Sequence, residues 1–198
     1  MLRHRWIVVK VAAENAVAPA SGIPKNMLIR LAQLQDAVHL PPIEKSAAKL
    51  FRVQAGLSWL ADGPVISLTE HERLIFQRTV WVAESSAGDL VGFINAEVFG
   101  HDLHVWELSV HEAWQRMGIG KKLILSAYSY ACEHGLAALT LTTFTDVPWC
   151  APAYSTLGFQ PVLQPGQRLL GTLEEEARQG LPMAQRLAMT LPIGMLTA

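Results

Sequence analysis

A chain of 198 residues, 51% hydrophobic and 17% charged, has the composition of one compact folded domain and excludes a disordered polymer. A formal net charge of -1 gives no clustered basic surface for nucleic acid or an anionic membrane, so small or neutral partners are favoured. The two cysteines, Cys132 and Cys150, fall in different predicted elements without CxxC spacing, which supports neither a disulfide framework nor a zinc site and fits a reducing, cytoplasmic setting.

At the N-terminus, Arg3, His4 and Arg5 precede the apolar run "WIVVKVAA", a faint echo of a cleavable signal, but Lys10 and Glu14 interrupt it. Residues 1–25 read as a short extension, unstructured or an extra edge strand, ahead of one domain over 26–198. No later segment has the roughly 18 uninterrupted apolar residues that cross a bilayer.

From Met27 the pattern becomes regular. "MLIRLA" reads as a short strand, and "QLQDAVHLPPIEKSAAKLF" as a helical stretch with Pro42 at a helix start. "TEHERLIF" reads as a second helix, with Thr69 as N-cap and Glu72 completing a capping box. Three strands follow: "TVWVAES", then "LVGFINAEVFG" after the turn "SAGD", then "LHVWELSV". A helix runs from about Gly118 to Glu133 and stops at Gly135. "AALTLTTF" is a strand, "APAYSTL" a short helix and "GFQPVL" a strand; "GTLEEEARQG" is a last helix and "QRLAMTLP" an edge strand. This order gives a mixed sheet with helices on its faces.

The segment from Leu103 to Ile124 carries the chemistry: a strand, two glycines two apart, Gly118 and Gly120, and then helical spacing. A helix that opens on a glycine turn leaves its first N–H groups aimed at one point, where the helix dipole favours negative charge. Glycines let the backbone approach an anion such as phosphate, and Gln115, Arg116 and Lys121 surround the turn with donors and charge. A glycine-containing connection that binds nothing is the competing reading. Two familiar phosphate loops fail on spacing. A Walker A loop needs Gly at Gln115 and Ser or Thr at Lys122, and a dinucleotide fingerprint needs Gly at Leu123.

The stretch "LSVHEAWQRMGIGKKLI" closely resembles the acetyl-CoA motif of the GNAT acetyltransferases, matched at Gln115, Gly118 and Gly120 after the Leu-x-Val end of a strand. Downstream, "PAYSTLGFQPV" is similar to the family's tyrosine-containing helix running into a Gly-Phe strand, and the resemblance spans roughly Met27 to Pro192. "LTLTTFTDVPWCAPAYSTLGF" resembles a general bacterial subgroup that tends to have Asn where this chain has Cys150.

The resemblance implies a central mixed, mostly antiparallel, twisted sheet of about seven strands with helices on both faces. It implies acetyl-CoA as acyl donor, with the backbone of Leu108, Ser109 and Val110 pairing along the pantetheine arm as an added strand would. Backbone N–H groups of the loop Gln115, Arg116, Met117, Gly118, Ile119, Gly120 and Lys121 would cradle the pyrophosphate. A backbone N–H near Leu108 would face the thioester oxygen; one such donor is worth about 2.7–4 kcal/mol in other acyl-transfer sites.

For side chains, the resemblance makes Tyr154 the group that protonates the leaving thiolate; a packing aromatic is the alternative. Glu107 stands one residue before the cofactor-pairing backbone and is the candidate base for the incoming ammonium, against a solvated strand residue. His104 is its competitor and, with Trp106 and Trp149, a candidate substrate-binding residue. Regular alternation sets His104, Trp106, Leu108 and Val110 on one face and Val105, Glu107 and Ser109 on the other, so His104 and Glu107 share a face only if the strand carries a bulge.

Trp59 and Trp81 read as core, His101, His111 and His134 as surface, and Cys150 as a small apolar residue. The sequence thus predicts an acetyl-CoA-dependent N-acetyltransferase acting by direct attack of a primary amine of a small molecule or peptide, with no metal. Dimers are common in the family. A non-catalytic acyl-CoA-binding or sensing protein is the alternative, disfavoured because Glu107 and Tyr154 are both present.

Overall fold

In a computed structural model that describes residues 27–194, seven strands form one sheet in the order β1-β2-β3-β4-β5-β7-β6. These are β1 Leu28–Leu31, β2 Val80–Glu84, β3 Leu90–Phe99, β4 Asp102–Val110, β5 Ala138–Phe144, β6 Gln160–Pro161 and β7 Arg186–Pro192. Every pairing is antiparallel except β4 with β5. The predicted extension, residues 1–25, lies outside the described residues.

Five helices cover the sheet: α1 Leu40–Ala48, α2 Leu68–Phe76, α3 Ile119–Glu133, α4 Ala151–Thr156 and α5 Gln167–Arg178. α3 buries Ile119, Leu123, Ile124, Ala127 and Ala131, a helical stripe that packs with Leu103, Val105, Leu108 and Val110 of β4 and Leu139 and Leu141 of β5. Each fully buried Leu or Ile contributes about 1.5–3 kcal/mol. The opposite face packs Phe93 and Trp106 beneath Leu40 and Ile43 of α1 and Leu74 and Ile75 of α2. α5 lies on that second face too, with Leu169 and Leu173 against Ala188 of β7.

Several local expectations are corrected. The stretch from Gln33 to Phe51 is not one helix: 3-10 turns at Leu34–His39 and Lys49–Val53 flank α1, whose first turn holds two prolines, Pro41 and Pro42, that cannot donate a backbone hydrogen bond. The N-cap of α2 is Ser67 and not Thr69; the Ser67 hydroxyl accepts from the Glu70 N–H at 3.3 Å. α5 begins four residues before Gly171. β7 lies inside the sheet between β5 and β6, so the edge is β6, cut to two residues where Pro161 offers no N–H to the ladder.

Candidate active site

The sheet forks at its one parallel pairing. β4 registers with β5 only at Asp102↔Ala138, Leu103↔Leu139 and His104↔Thr140; beyond His104 the two strands part. β3 remains paired with β4 up to Gly92↔Val110. The His111 N–H donates to Val91 O, and alternation along an antiparallel ladder turns the peptide groups of Leu108 and Val110 away from β3 and into the fork. The Val110 carbonyl there accepts from Nε2 of Gln115 at 2.9 Å, which ties the following loop to the end of the free edge.

A bulge sorts the side chains. Asn95 registers with Glu107 and Ala96 with Val105, leaving Trp106 as the extra residue. After it, Leu108 and Val110 join Leu103 and Val105 in the α3 core, while Glu107 and Ser109 share a face with Phe93, Trp106 and His104. The regular alternation expected for this strand is therefore broken, and His104 and Glu107 do lie on one face. The Glu107 carboxylate is fully buried and accepts from the Ser109 hydroxyl at 2.5 Å.

The loop after β4 turns twice through left-handed backbone, at Arg116 with φ 62° and Gly118 with φ 71°. Glycine takes this conformation freely; for Arg116 it costs about 1–2 kcal/mol, strain the glycine pattern alone does not announce. Gly118 is the N-cap of α3 without any side-chain cap, and the first turn holds no acidic residue, so the leading N–H groups of a 15-residue helix remain for an anion. Gly92 lets this end sit close to the sheet, because a Cβ there would meet Ser109 O at 3.1 Å and Ile119 Cγ2 at 3.4 Å.

Tyr154, on α4, is completely buried against Phe159, with ring centroids 5.3 Å apart. Its hydroxyl has no hydrogen-bond partner among the described residues. Burial above all, and then the neighbouring Cys150 and Glu107, pushes the phenol well above its usual value, so it stays protonated through the neutral range. The phenol is thus a weaker acid than an ordinary tyrosine. Cys150 is buried with Phe51, Leu57, Leu60 and Phe144, which places the segment after α1 directly against the end of β5.

The remaining candidates separate. His104 is fully buried where β4 and β5 still pair, its Nδ1 bonded to Thr140 Oγ1 at 3.0 Å and its ring 4.4 Å from Trp106. Trp106 is 8% exposed and donates Nε1 to Glu97 at 2.9 Å. Both are built into the packing at and beside the fork's closed end. Trp149 is half-buried at the open end, edge-on to Phe51 at 5.7 Å. Trp59, expected in the core, is 42% exposed and donates to Gly56 O, whereas Trp81 is core. His111 is half-buried and caps a 3-10 turn by accepting from the Ala113 N–H. Sequence reasoning missed Arg186, whose guanidinium is fully buried at the start of β7; the signal was a charge at an inward position of an alternating strand.

An acetyltransferase (GNAT) domain model matches residues 77–161, which takes in β2 to β6 and the whole fork. Among solved structures, the chain is similar to YncA, a putative acetyltransferase from Salmonella typhimurium solved with its cofactor acetyl-CoA, at TM-score 0.61 and 19% identity, covering 88% of this chain and 98% of that one. It is similar to the PaiA N-acetyltransferase from Thermoplasma acidophilum in complex with coenzyme A, at TM-score 0.61 and 15% identity over 84% of this chain and 99% of that one. A GNAT-family acetyltransferase from Streptococcus pneumoniae matches at TM-score 0.59 and 18% identity, over 85% and 100% of the two chains.

Proposed function

Because the chain belongs to the GNAT acetyltransferase family, we propose that it transfers the acetyl group of acetyl-CoA to a primary amine of a small molecule or peptide by direct attack. The observation that carries this reading is the fork: a free strand edge at Leu108 and Val110 leads to an uncapped helix N-terminus at Gly118, and the partnerless Tyr154, close enough to Glu107 to feel its charge, packs in the same core as Leu108 and Leu141. These features fit an elongated thiol ester with a diphosphate at one end. Acetyl-CoA supplies the activated acetyl group. The peptide edge of Leu108 and Val110 pairs along its arm, and the N–H groups from Arg116 to Lys121 hold the anion.

Glu107 takes a proton from the acceptor's ammonium, freeing the lone pair that forms the new N–C bond. The C–S bond breaks in the same transfer: the Tyr154 hydroxyl delivers a proton to the departing sulfur, and the second proton, shed by the acylated nitrogen, restores the phenol. Ser109 donates to Glu107 Oε1 and so aims the carboxylate's other oxygen. The YncA and PaiA complexes, solved with acetyl-CoA and coenzyme A, support the choice of donor. The test is release of CoA thiol that requires both acetyl-CoA and a primary amine. Binding of acetyl-CoA with no amine-dependent release would instead make the chain an acyl-CoA-binding protein.

A further inference from the structure

Among the paired arginines of the described residues, Arg186 combines complete burial of its side chain with an incompletely partnered guanidinium. Arg30 bridges Asp36 and Glu84, each at 2.6 Å, and Arg73 bridges Glu70 at 2.7 Å and Glu97 at 2.8 Å. Arg168 has a single carboxylate, Asp102 at 3.6 Å, and it too has a buried Nη1 with no partner among the described residues, but solvent reaches the rest of its side chain, which is 28% exposed. Arg186 is 0% exposed and also has one carboxylate: Nε and Nη2 donate to Glu176 at 3.0 and 2.7 Å, while Nη1 has no partner among the described residues. A guanidinium is a fork of five donors suited to two carboxylates, and here one side is left open.

The location is at the transfer site. Arg186 registers with Phe144, and its guanidinium lies over that ring at 4.6 Å. Phe144 is four residues past Thr140, the last β5 residue paired with β4, or about 13 Å beyond the fork's closed end at the usual strand rise. Glu107 is three residues past His104, but with Trp106 bulged out this spans only two steps of the ladder, about 7 Å along the other arm. Alternation puts Thr140, Thr142 and Phe144 on the sheet face that carries His104 and Glu107, as the His104–Thr140 bond requires. Arg186 and Glu107 therefore stand at the same open end, on the same face, on opposite sides of the gap. Trp149 completes the arrangement. Its indole lies across Phe51, whose ring is 5.8 Å from Phe144, and its Nε1 is also buried with no partner among the described residues.

Both open groups, Arg186 Nη1 and Trp149 Nε1, are donors, so the ligand that satisfies them supplies oxygen acceptors. We propose that they form an acceptor subsite for a carboxylate, and hence that the amines this chain acetylates carry a carboxylate group away from the reacting nitrogen. The inference rests on the acetyl-transfer reading: Glu107 faces the ammonium and Arg186 the opposite charge.

The experiment takes CoA binding by calorimetry first, then kcat/KM by thiol release for two matched series. One is phenylalanine, phenylalaninamide and phenethylamine; the other is 6-aminohexanoate, its carboxamide and hexylamine. In at least one series the carboxylate member should exceed both relatives by about 10–100-fold, the discrimination expected of a charge-assisted hydrogen bond. In the double variant Arg186→Met/Glu176→Met, which removes the buried pair as a whole, that preference should collapse while CoA affinity holds. Arg186→Lys, which keeps the charge against Glu176 and loses the fork, should retain only part of it. Equal rates within each series, no carboxylate acceptor in a chain that binds CoA, or variants that lower all members alike would overturn the subsite. Absence of CoA binding would overturn the transfer reading itself.

Discussion

Tyr154 and Glu107 are the residues on which chemistry and packing are most easily confused, since both are fully buried. Tyr154→Phe removes a hydroxyl with no protein partner among the described residues and keeps the ring against Phe159, so thermal stability should hardly change. Turnover should fall substantially, and an acyl donor with a more acidic thiol should recover it, because that leaving group needs no proton. Wild-type turnover in the Phe variant, with chemistry rate-limiting, would reduce Tyr154 to a packing residue. Glu107→Gln keeps the shape and an acceptor for Ser109 but cannot take a proton. It should lower kcat by roughly 10²–10⁴-fold and abolish the acid limb of the pH–rate profile, with CoA affinity little changed. An unchanged profile would reassign the base.

Both side chains were legible in the sequence as members of a motif. Their relation in space was not, because the bulge at Trp106 depends on how β3 pairs with β4 and leaves no mark in the residues of β4 alone. Arg186 was overlooked because its meaning comes from Glu176 and Phe144, which only the folded sheet brings to it.

Among elements, the loop from Gln115 into α3 was read best from sequence, since glycine spacing states a backbone requirement directly. Gly120 is buried in the first turn, where a carboxylate would itself satisfy the positive end of the helix dipole, and would both fill the space of an incoming anion and repel it. Gly120→Asp should fold, with an unchanged far-ultraviolet dichroism spectrum, and should lose CoA binding in calorimetry. Undiminished affinity would remove the pyrophosphate from this turn. Sequence reading was poorest from Gln33 to Phe51, where apolar spacing resembles one helix but the chain forms 3-10 turns around α1. That segment is held by the end of β5 through Phe51 and Phe144, a contact across more than ninety positions that no local pattern encodes. In the proposed reading it forms one wall of the acceptor side, which is why the acceptor was the least readable part of the function.

At the scale of the whole molecule, the sheet carries a polar pair in the core beside the fork. His71 of α2 is completely buried, its Nδ1 accepting from Asn95 Nδ2 at 3.0 Å, and burial lowers its pKa from 6.5 to about 4. An unfolded chain binds this proton at a higher pH than the folded one, so the contribution is complete above about pH 6.5 and is lost as pH falls toward about 4. The loss is on the order of 3 kcal/mol for this group alone. His71→Gln, which cannot titrate, should flatten the fall in melting temperature over that interval; an equally steep fall would place the acid sensitivity elsewhere.

The antiparallel order and the single parallel join follow from strand and helix signals that lie in the chain in sequence. The fork itself is a property of the assembled sheet, and the account depends on its free edge receiving the acyl donor. Residue-resolved amide hydrogen exchange with and without acetyl-CoA tests this most directly. Leu108 and Val110, facing the gap, should gain protection on binding together with the amides from Arg116 to Lys121, whereas Ser109 and His111, already bonded toward β3, should change little. Protection that spares Leu108 and Val110 and appears on another edge of the sheet would contradict the account.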